Sequence, residues 1–124
     1  MAHHQPTNLL LHQHSRMLEV SFEDGAQYRL SCEYLRVYSP SAEVRGHGPG
    51  QGTLQVGKEG VNITDIEAVG NYAVRLIFDD GHNSGLYTWD YLYLLGKQFE
   101  SKWREYRIAL EEAGHHRMVP IDHA

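Results

Sequence analysis

The 124-residue sequence has few of the residues that cross-link small domains or hold metals in them. Its single cysteine, Cys32, excludes an intrachain disulfide, which suits a reducing, cytoplasmic setting. A closed zinc site needs about four Cys or His ligands, so the residues alone give an incomplete one. No apolar run reaches about 18 residues, and we therefore predict no transmembrane helix. The start of the chain also lacks the apolar core of a signal peptide, since Leu9–Leu11 is a short run between polar residues.

Motifs for several reaction classes are also missing. There is no Gly-x-Ser-x-Gly elbow for a serine nucleophile. There is no His-x-Asp/Glu triplet for a non-haem iron centre, because His82 is followed by Asn83 and Ser84. The glycine-rich string from Gly46 to Gly52 lacks the Gly-Lys-Ser/Thr of a phosphate loop. These absences disfavour an enzyme.

Basic residues are outnumbered by acidic ones, with 11 Lys and Arg against 16 Asp and Glu and a formal net charge of −5. Clustered Lys and Arg are what a nucleic acid or an anionic membrane selects, so we expect neither as a partner. A hydrophobic content of 41% with 22% charged residues is typical of a globular chain. At this length we predict one folded domain.

Two stretches of the sequence resemble each other at an offset of 56 residues. Leu18 to Gly25 and Val74 to Gly81 both alternate apolar and polar residues and end in a glycine turn, which predicts two β-hairpins. Ser31 and Thr88 follow the hairpins as predicted helix N-caps. A further strand is predicted near residues 63–69.

These patterns predict an α+β fold, with a small mixed or antiparallel β-sheet shared by two hairpin–helix units. A long amphipathic C-terminal helix completes it, since Phe99, Trp103, Tyr106 and Leu110 recur at helical spacing. We predict flexible tails at residues 1–15 and 113–124 around a domain at residues 16–112.

The second hairpin differs from the first at one informative position. His82 stands where the first unit has Ala26, and Asn83 and Ser84 follow it. A histidine in a hairpin turn is often just an exposed residue, but it is also a candidate ligand. His47, Cys32 or a carboxylate could complete a metal site with His82.

The sequence resembles a known family in two segments. Leu35-Arg-x-x-Ser-Pro-Ser-Ala-Glu-Val-Arg-Gly-His47 and Gly70-Asn-Tyr-Ala, followed by Phe-Asp-Asp-Gly-His-x-Ser-Gly-x-Tyr-x-Trp-Asp-Tyr-Leu92, are similar to the DUF971 family. These are small bacterial proteins that resemble the N-terminal domain of γ-butyrobetaine dioxygenase. The resemblance covers about residues 16–112 and implies the fold of that domain.

The resemblance also implies where a metal would lie. The domain in the dioxygenases holds zinc with three cysteines and one histidine, and takes part in dimer contacts. The cysteine positions fall on Ser39, Ser41 and Val44, and the histidine on His82. Hydroxyl and isopropyl groups do not replace thiolates as zinc ligands, so we expect no cofactor. The dioxygenase reaction is not implied either, since we expect no catalytic barrel in these residues.

We therefore expect a cytoplasmic, non-catalytic interaction module that binds a protein partner. The predicted surface comprises His47, His82, Asn83 and Ser84 together with the glycine-rich loop. Homodimerisation is a further expectation, because aromatic residues are abundant. The alternative is a zinc- or iron-binding module linked to iron or iron–sulfur handling, since a similar domain accompanies some iron–sulfur carrier ATPases.

Overall fold

The computed structural model describes residues 4–45 and 53–117 and confirms the α+β class. Within these residues, two hairpin–helix units are followed by a long C-terminal helix, as predicted. The elements in chain order are β1 (Pro6–His12), β2 (Met17–Phe22), β3 (Gln27–Ser31), α1 (Cys32–Val37), α2 (Ala42–Arg45), β4 (Ile63–Val69), β5 (Ala73–Phe78), β6 (Leu86–Thr88), α3 (Trp89–Lys97) and α4 (Phe99–Glu112).

The strands form two sheets, whereas the sequence predicted a single shared one. Each described sheet is antiparallel and has three strands, in the orders β1-β2-β3 and β4-β5-β6. The physical reason is that each hairpin gains a third strand from its own N-terminal side. Three strands with one apolar face suffice for stability, so the hairpins meet through their helices instead of by strand pairing.

The predicted flexible tail at residues 1–15 is wrong for its central part. Residues 6–12 form β1, which pairs antiparallel with β2 from Pro6 opposite Phe22 to His12 opposite Met17. Leu9 and Leu11 pack against the main core. The sequence did not predict β1 because its residues do not alternate between apolar and polar, and because the strand depends on pairing with β2.

The tail predicted at residues 113–124 also needs correction where the structure describes it. Arg117 donates two hydrogen bonds to the Glu33 carboxylate, one from Nε at 2.8 Å. Its guanidinium also lies 5.1 Å from the centre of the Trp103 ring. Arg117 is therefore held against α1 and α4. Residues 1–3 and 118–124, with the rest of both predictions, lie outside the described residues.

The two units repeat their backbone details. Both β1–β2 and β4–β5 pairings carry a register shift near the first pair, between Pro6 and Asn8 and between Ile63 and Asp65. Both hairpins turn through a glycine with positive φ, 92° at Gly25 and 90° at Gly81, a conformation that suits a residue without Cβ. The repeat seen in the sequence is thus a β-β-β-α unit.

The helices confirm the predicted caps and exchange hydrogen bonds between units. Ser31 and Thr88 each accept a bond from the backbone amide three residues later. The Tyr34 hydroxyl donates to the Leu95 carbonyl at 2.6 Å, and the Tyr91 hydroxyl donates to the Tyr38 carbonyl at 2.5 Å. The two donors, Tyr34 and Tyr91, are 57 positions apart, and so are the two acceptors, Tyr38 and Leu95. The bonds are therefore reciprocal, which indicates an approximate twofold relation between the units.

Most of the core lies between the sheets and the first and third helices. Gly96 lies in the last turn of α3, where a Cβ would come within 2.3 Å of the Tyr28 ring on β3. The glycine therefore allows α3 to pack closely on the first sheet. In α4, Tyr106 and Leu110 are buried against Val37, as the predicted apolar stripe requires.

Candidate functional site

The tip of the second hairpin turns the His82 side chain into the protein. The Phe78 amide donates to the His82 carbonyl at 3.0 Å, and the His82 amide donates to Asp80 Oδ1 at 3.1 Å. These bonds fix the backbone on both sides of Gly81. As a result, His82 is buried and supports the surface from beneath, whereas Asn83 and Ser84 are exposed.

The structure joins His82 to the segment that follows α1. His82 Nε2 lies 2.8 Å from Ser39 Oγ, which also accepts a 3.3 Å bond from the Ser41 amide. Ser41 Oγ lies 2.7 Å from Ser84 Oγ. We call Ser39, Ser41, His82 and Ser84 the hairpin-tip cluster. Val44, the remaining residue that the resemblance indicated, is buried on α2, and His47 lies outside the described residues.

The donor atoms of this cluster do not fit zinc. Of Ser39, Ser41, Val44 and His82, only the histidine offers an atom that zinc ordinarily binds, and its Nε2 is engaged by a hydroxyl. Among the described residues, no three His, Cys, Asp or Glu side chains are grouped so that they could hold a metal ion. Hydrogen bonds join the two chain segments at the position where the resemblance implies a metal.

Close packing at Gly85 contributes to this junction. A Cβ built on Gly85 would lie 2.4 Å from Ser39 Oγ and 3.2 Å from Tyr87 Cε1. Tyr87 is fully buried and donates to the Leu35 carbonyl at 2.5 Å. The hairpin can therefore approach the end of α1 only with a glycine at this position.

An ion-pair network beside the cluster, which joins the buried Arg36 to Asp80 and Lys58 nearer the surface, was not predicted from the sequence. Asp80 Oδ2 accepts bonds from Arg36 Nε at 2.9 Å and from Lys58 Nζ at 2.8 Å. Burial would raise the pKa of Asp80, but Lys58, the His82 amide and Arg36 together lower it to about 2. The first unit has an equivalent bond, because Asp24 is the Asp80 equivalent and accepts from the hydroxyl of Tyr93, the equivalent of Arg36.

The side chains of the hairpin-tip cluster bond to one another and so support the hairpin tip. A Ser–His pair at hydrogen-bond distance is the arrangement of an activated nucleophile, but Ser39 has no exposed surface, and its Oγ is engaged by the His82 ring and the Ser41 amide. Cys32 is also fully buried, and burial raises the pKa of its thiol to about 11, so the unreactive protonated form dominates. Among the residues that the structure describes, both side chains lie in the interior. In the same residues, no helix is both long and apolar enough to cross a membrane.

Comparisons with known proteins show the family of this chain. Residues 9–93 match the family model described as gamma-butyrobetaine hydroxylase-like, N-terminal. One similar solution NMR structure is 51% identical, with a TM-score of 0.79 over 95% of this chain and 88% of that chain. A second NMR structure is 42% identical, with a TM-score of 0.80 over 96% of this chain and 95% of that chain.

A similar crystal structure at 1.93 Å resolution comes from Acidithiobacillus ferrooxidans and is described as a protein with unknown function of the DUF971 family. It is 40% identical, with a TM-score of 0.63 over 74% of this chain and 92% of that chain. Among curated proteins, none matches this chain.

Proposed function

Because this chain belongs to the DUF971 family of γ-butyrobetaine hydroxylase-like N-terminal domains, we propose that it is a non-catalytic module that binds another protein through its second hairpin tip. The observation that carries the proposal is the hairpin-tip cluster. Its nucleophile and imidazole bond to each other in the interior, which leaves Asn83 and Ser84 as a supported, exposed polar tip.

The hairpin-tip cluster gives the tip a rigidity that favours recognition of a partner. An ordered loop loses little conformational entropy on binding, and polar side chains held in one geometry gain specificity. Ser84 is tied to Ser41, and the turn before it is fixed by Asp80. The tip is thus preorganised by bonds to two separate segments of the chain.

Affinity capture with matched variants tests this proposal. We expect a partner captured from native cells by the wild-type chain and by Asn71→Lys, but lost with Asn83→Lys. Both positions are exposed turn asparagines beside strands of the second sheet, so they differ in location and not in chemistry. Equal capture by the two variants, or no specific partner, would contradict the proposal.

Elemental analysis of tag-free protein addresses the metal-binding alternative. The described donor atoms favour no metal, so we expect no stoichiometric zinc or iron in the wild-type chain. Stoichiometric metal that is lost in His82→Ala would instead establish the zinc- or iron-binding function and end the pure interaction model.

A further inference from the structure

A groove runs from the hairpin-tip cluster along the end of α1. Two adjoining hollows of about 350 and 260 Å³ form it. Four residues line both hollows and mark the middle of the groove: Val37, Tyr38, Thr53 and Leu54. Ser39 and Val44 lie in the first hollow, and the groove therefore begins at residues near the proposed binding site.

The middle of the groove is mostly apolar, with Thr53 as its one polar residue. Leu54 is 37% exposed although it is aliphatic, and the tyrosine hydroxyls nearby are committed to internal carbonyls. Tyr38 donates to Lys102 at 2.7 Å, and Tyr106 donates to Gln55 at 2.6 Å. These rings are fixed by their own hydroxyls, so their carbon faces are what the groove presents to a ligand.

The two ends of the groove carry opposite charges. Arg45 lines the first hollow, with its guanidinium 4.9 Å from the centre of the Tyr91 ring, and Glu105 lines the second. Among the side chains that the structure describes, neither Arg45 nor Glu105 has an ion-pair partner. A ligand that spans the groove meets a cation at one end and a carboxylate at the other.

From this polarity we propose that the groove binds an extended peptide segment of a protein partner, with a short apolar core between an acidic and a basic residue. The acidic residue pairs with Arg45, whose planar guanidinium suits a carboxylate, and the basic residue pairs with Glu105. Aromatic-lined grooves recognise extended segments in this way, with the apolar core giving affinity and the charges fixing the register. The inference rests on the proposed function and specifies the chemistry of the partner.

A peptide accounts for the groove better than a small molecule does. Both hollows open to solvent, whereas sites for small ligands bury most of the ligand surface. The charged side chains among the lining residues are Arg45 in the first hollow and Glu105 in the second, and they have opposite signs. This arrangement suits a ligand long enough to carry two separate charges.

Selection from a display library of random peptides, with the whole chain as the target, tests the inference. We expect the selected peptides to share an acidic residue, an apolar core and a basic residue. A capped synthetic copy of the strongest one is then measured by fluorescence anisotropy. Leu54→Ala should weaken binding about fivefold, since a buried apolar contact is lost. Leu10→Ala, at an exposed leucine on β1, should leave it unchanged.

Charge reversal supplies the decisive comparison. Arg45→Glu should weaken peptide binding about tenfold. This variant should instead prefer a peptide whose acidic residue is replaced by lysine. Glu105→Lys should prefer the version whose basic residue is replaced by aspartate. An extended peptide can bind in either direction, so a peptide whose acidic and basic residues are exchanged could still bind by turning around. A change of sign at one end only does not allow this compensation.

Three outcomes would overturn the inference: no enriched peptide, no change of preference in the charge-reversed variants, or binding that appears only after residues 46–52 are shortened. The last would mean that the chain itself fills the groove. Asn83→Lys lies outside the groove and separates the two proposals. If cellular capture succeeds but no peptide is selected, only the groove inference fails. If peptides bind but capture fails, only the hairpin-tip function fails.

Discussion

Ser39 holds the hairpin-tip cluster together, because a single hydroxyl contacts both the His82 ring and the Ser41 amide. We predict that Ser39→Ala lowers the free energy of unfolding by about 1–3 kcal/mol, since the buried imidazole loses a hydrogen-bond partner. Urea unfolding followed by circular dichroism measures the loss. Ser101→Ala is the matched control. It removes an exposed hydroxyl on α4 and should cost less than about 0.5 kcal/mol.

Substitution of Gly85 tests whether its close approach to Ser39 sets the position of the second hairpin, or whether hydrogen bonding does. We predict that Gly85→Ala costs about 1–3 kcal/mol of stability, because the new methyl group overlaps Ser39 Oγ. In a Ser39→Ala background the same change should cost less, as the overlapping atom is gone. A double-mutant cycle measures this coupling. Gly60→Ala has no neighbour within 4 Å and should be nearly neutral. Additive costs would refute the contact.

At the scale of residues, the sequence singled out members of the hairpin-tip cluster but did not predict that they are buried. Comparison with Ala26 singled out His82, and the resemblance added Ser39 and Ser41. Burial of His82 was not predictable from a turn position, because it depends on the α1 segment arriving across the hairpin. The Arg36–Asp80 pair was missed for the same reason, since 44 positions separate its members.

At the scale of elements, reciprocal tyrosines tie α1 to α3. We predict that Tyr34→Phe costs about 1–2 kcal/mol, because the Leu95 carbonyl loses its buried donor while ring packing is kept. Thermal or urea unfolding gives the value. Tyr72→Phe is the control, as its ring is 49% exposed, and it should change stability by less than about 0.5 kcal/mol. Equal effects from the two substitutions would show that the helix-to-helix bond contributes nothing.

Predictability of the elements followed the strength of their local signals. The strand predicted at 63–69 is β4, and the caps at Ser31 and Thr88 begin α1 and α3 as expected. These elements carry their own periodicity or cap. The separate sheets and β1 were missed because their cause is pairing between segments, which a local pattern does not encode.

For the molecule as a whole, stability should fall at acid pH as Asp80 is protonated. Its folded pKa of about 2 lies below the ordinary 3.8, so the unfolded state binds the proton first. The stabilisation is therefore present above about pH 3.8 and is lost toward pH 2. We expect a loss of about 1–2 kcal/mol over this range from urea unfolding at each pH. Asp80→Asn should be less stable at neutral pH and should show a flatter acid limb.

The alkaline limit should come from the tyrosines between the units. Burial, followed by the charge of Glu105, raises the pKa of Tyr38 from 10.0 to about 12, and burial also raises the pKa of Tyr34 and Tyr106. The unfolded chain therefore releases these protons first, and stability is complete below about pH 10 and falls as the pH rises toward 12.

Urea unfolding between about pH 9 and pH 11.5 tests this limit, and we expect Tyr38 alone to account for about 1–2 kcal/mol of the fall. Tyr38→Phe removes that titration, so the alkaline slope should become shallower although the variant starts from a lower stability, having lost its bond to Lys102. Tyr72→Phe, at an exposed ring, should keep the wild-type slope. If Tyr38→Phe keeps the wild-type slope, the Tyr38 hydroxyl of the wild-type chain titrates alike in the folded and unfolded states. The contact between α1 and α4 would then be more accessible to water than the structure indicates.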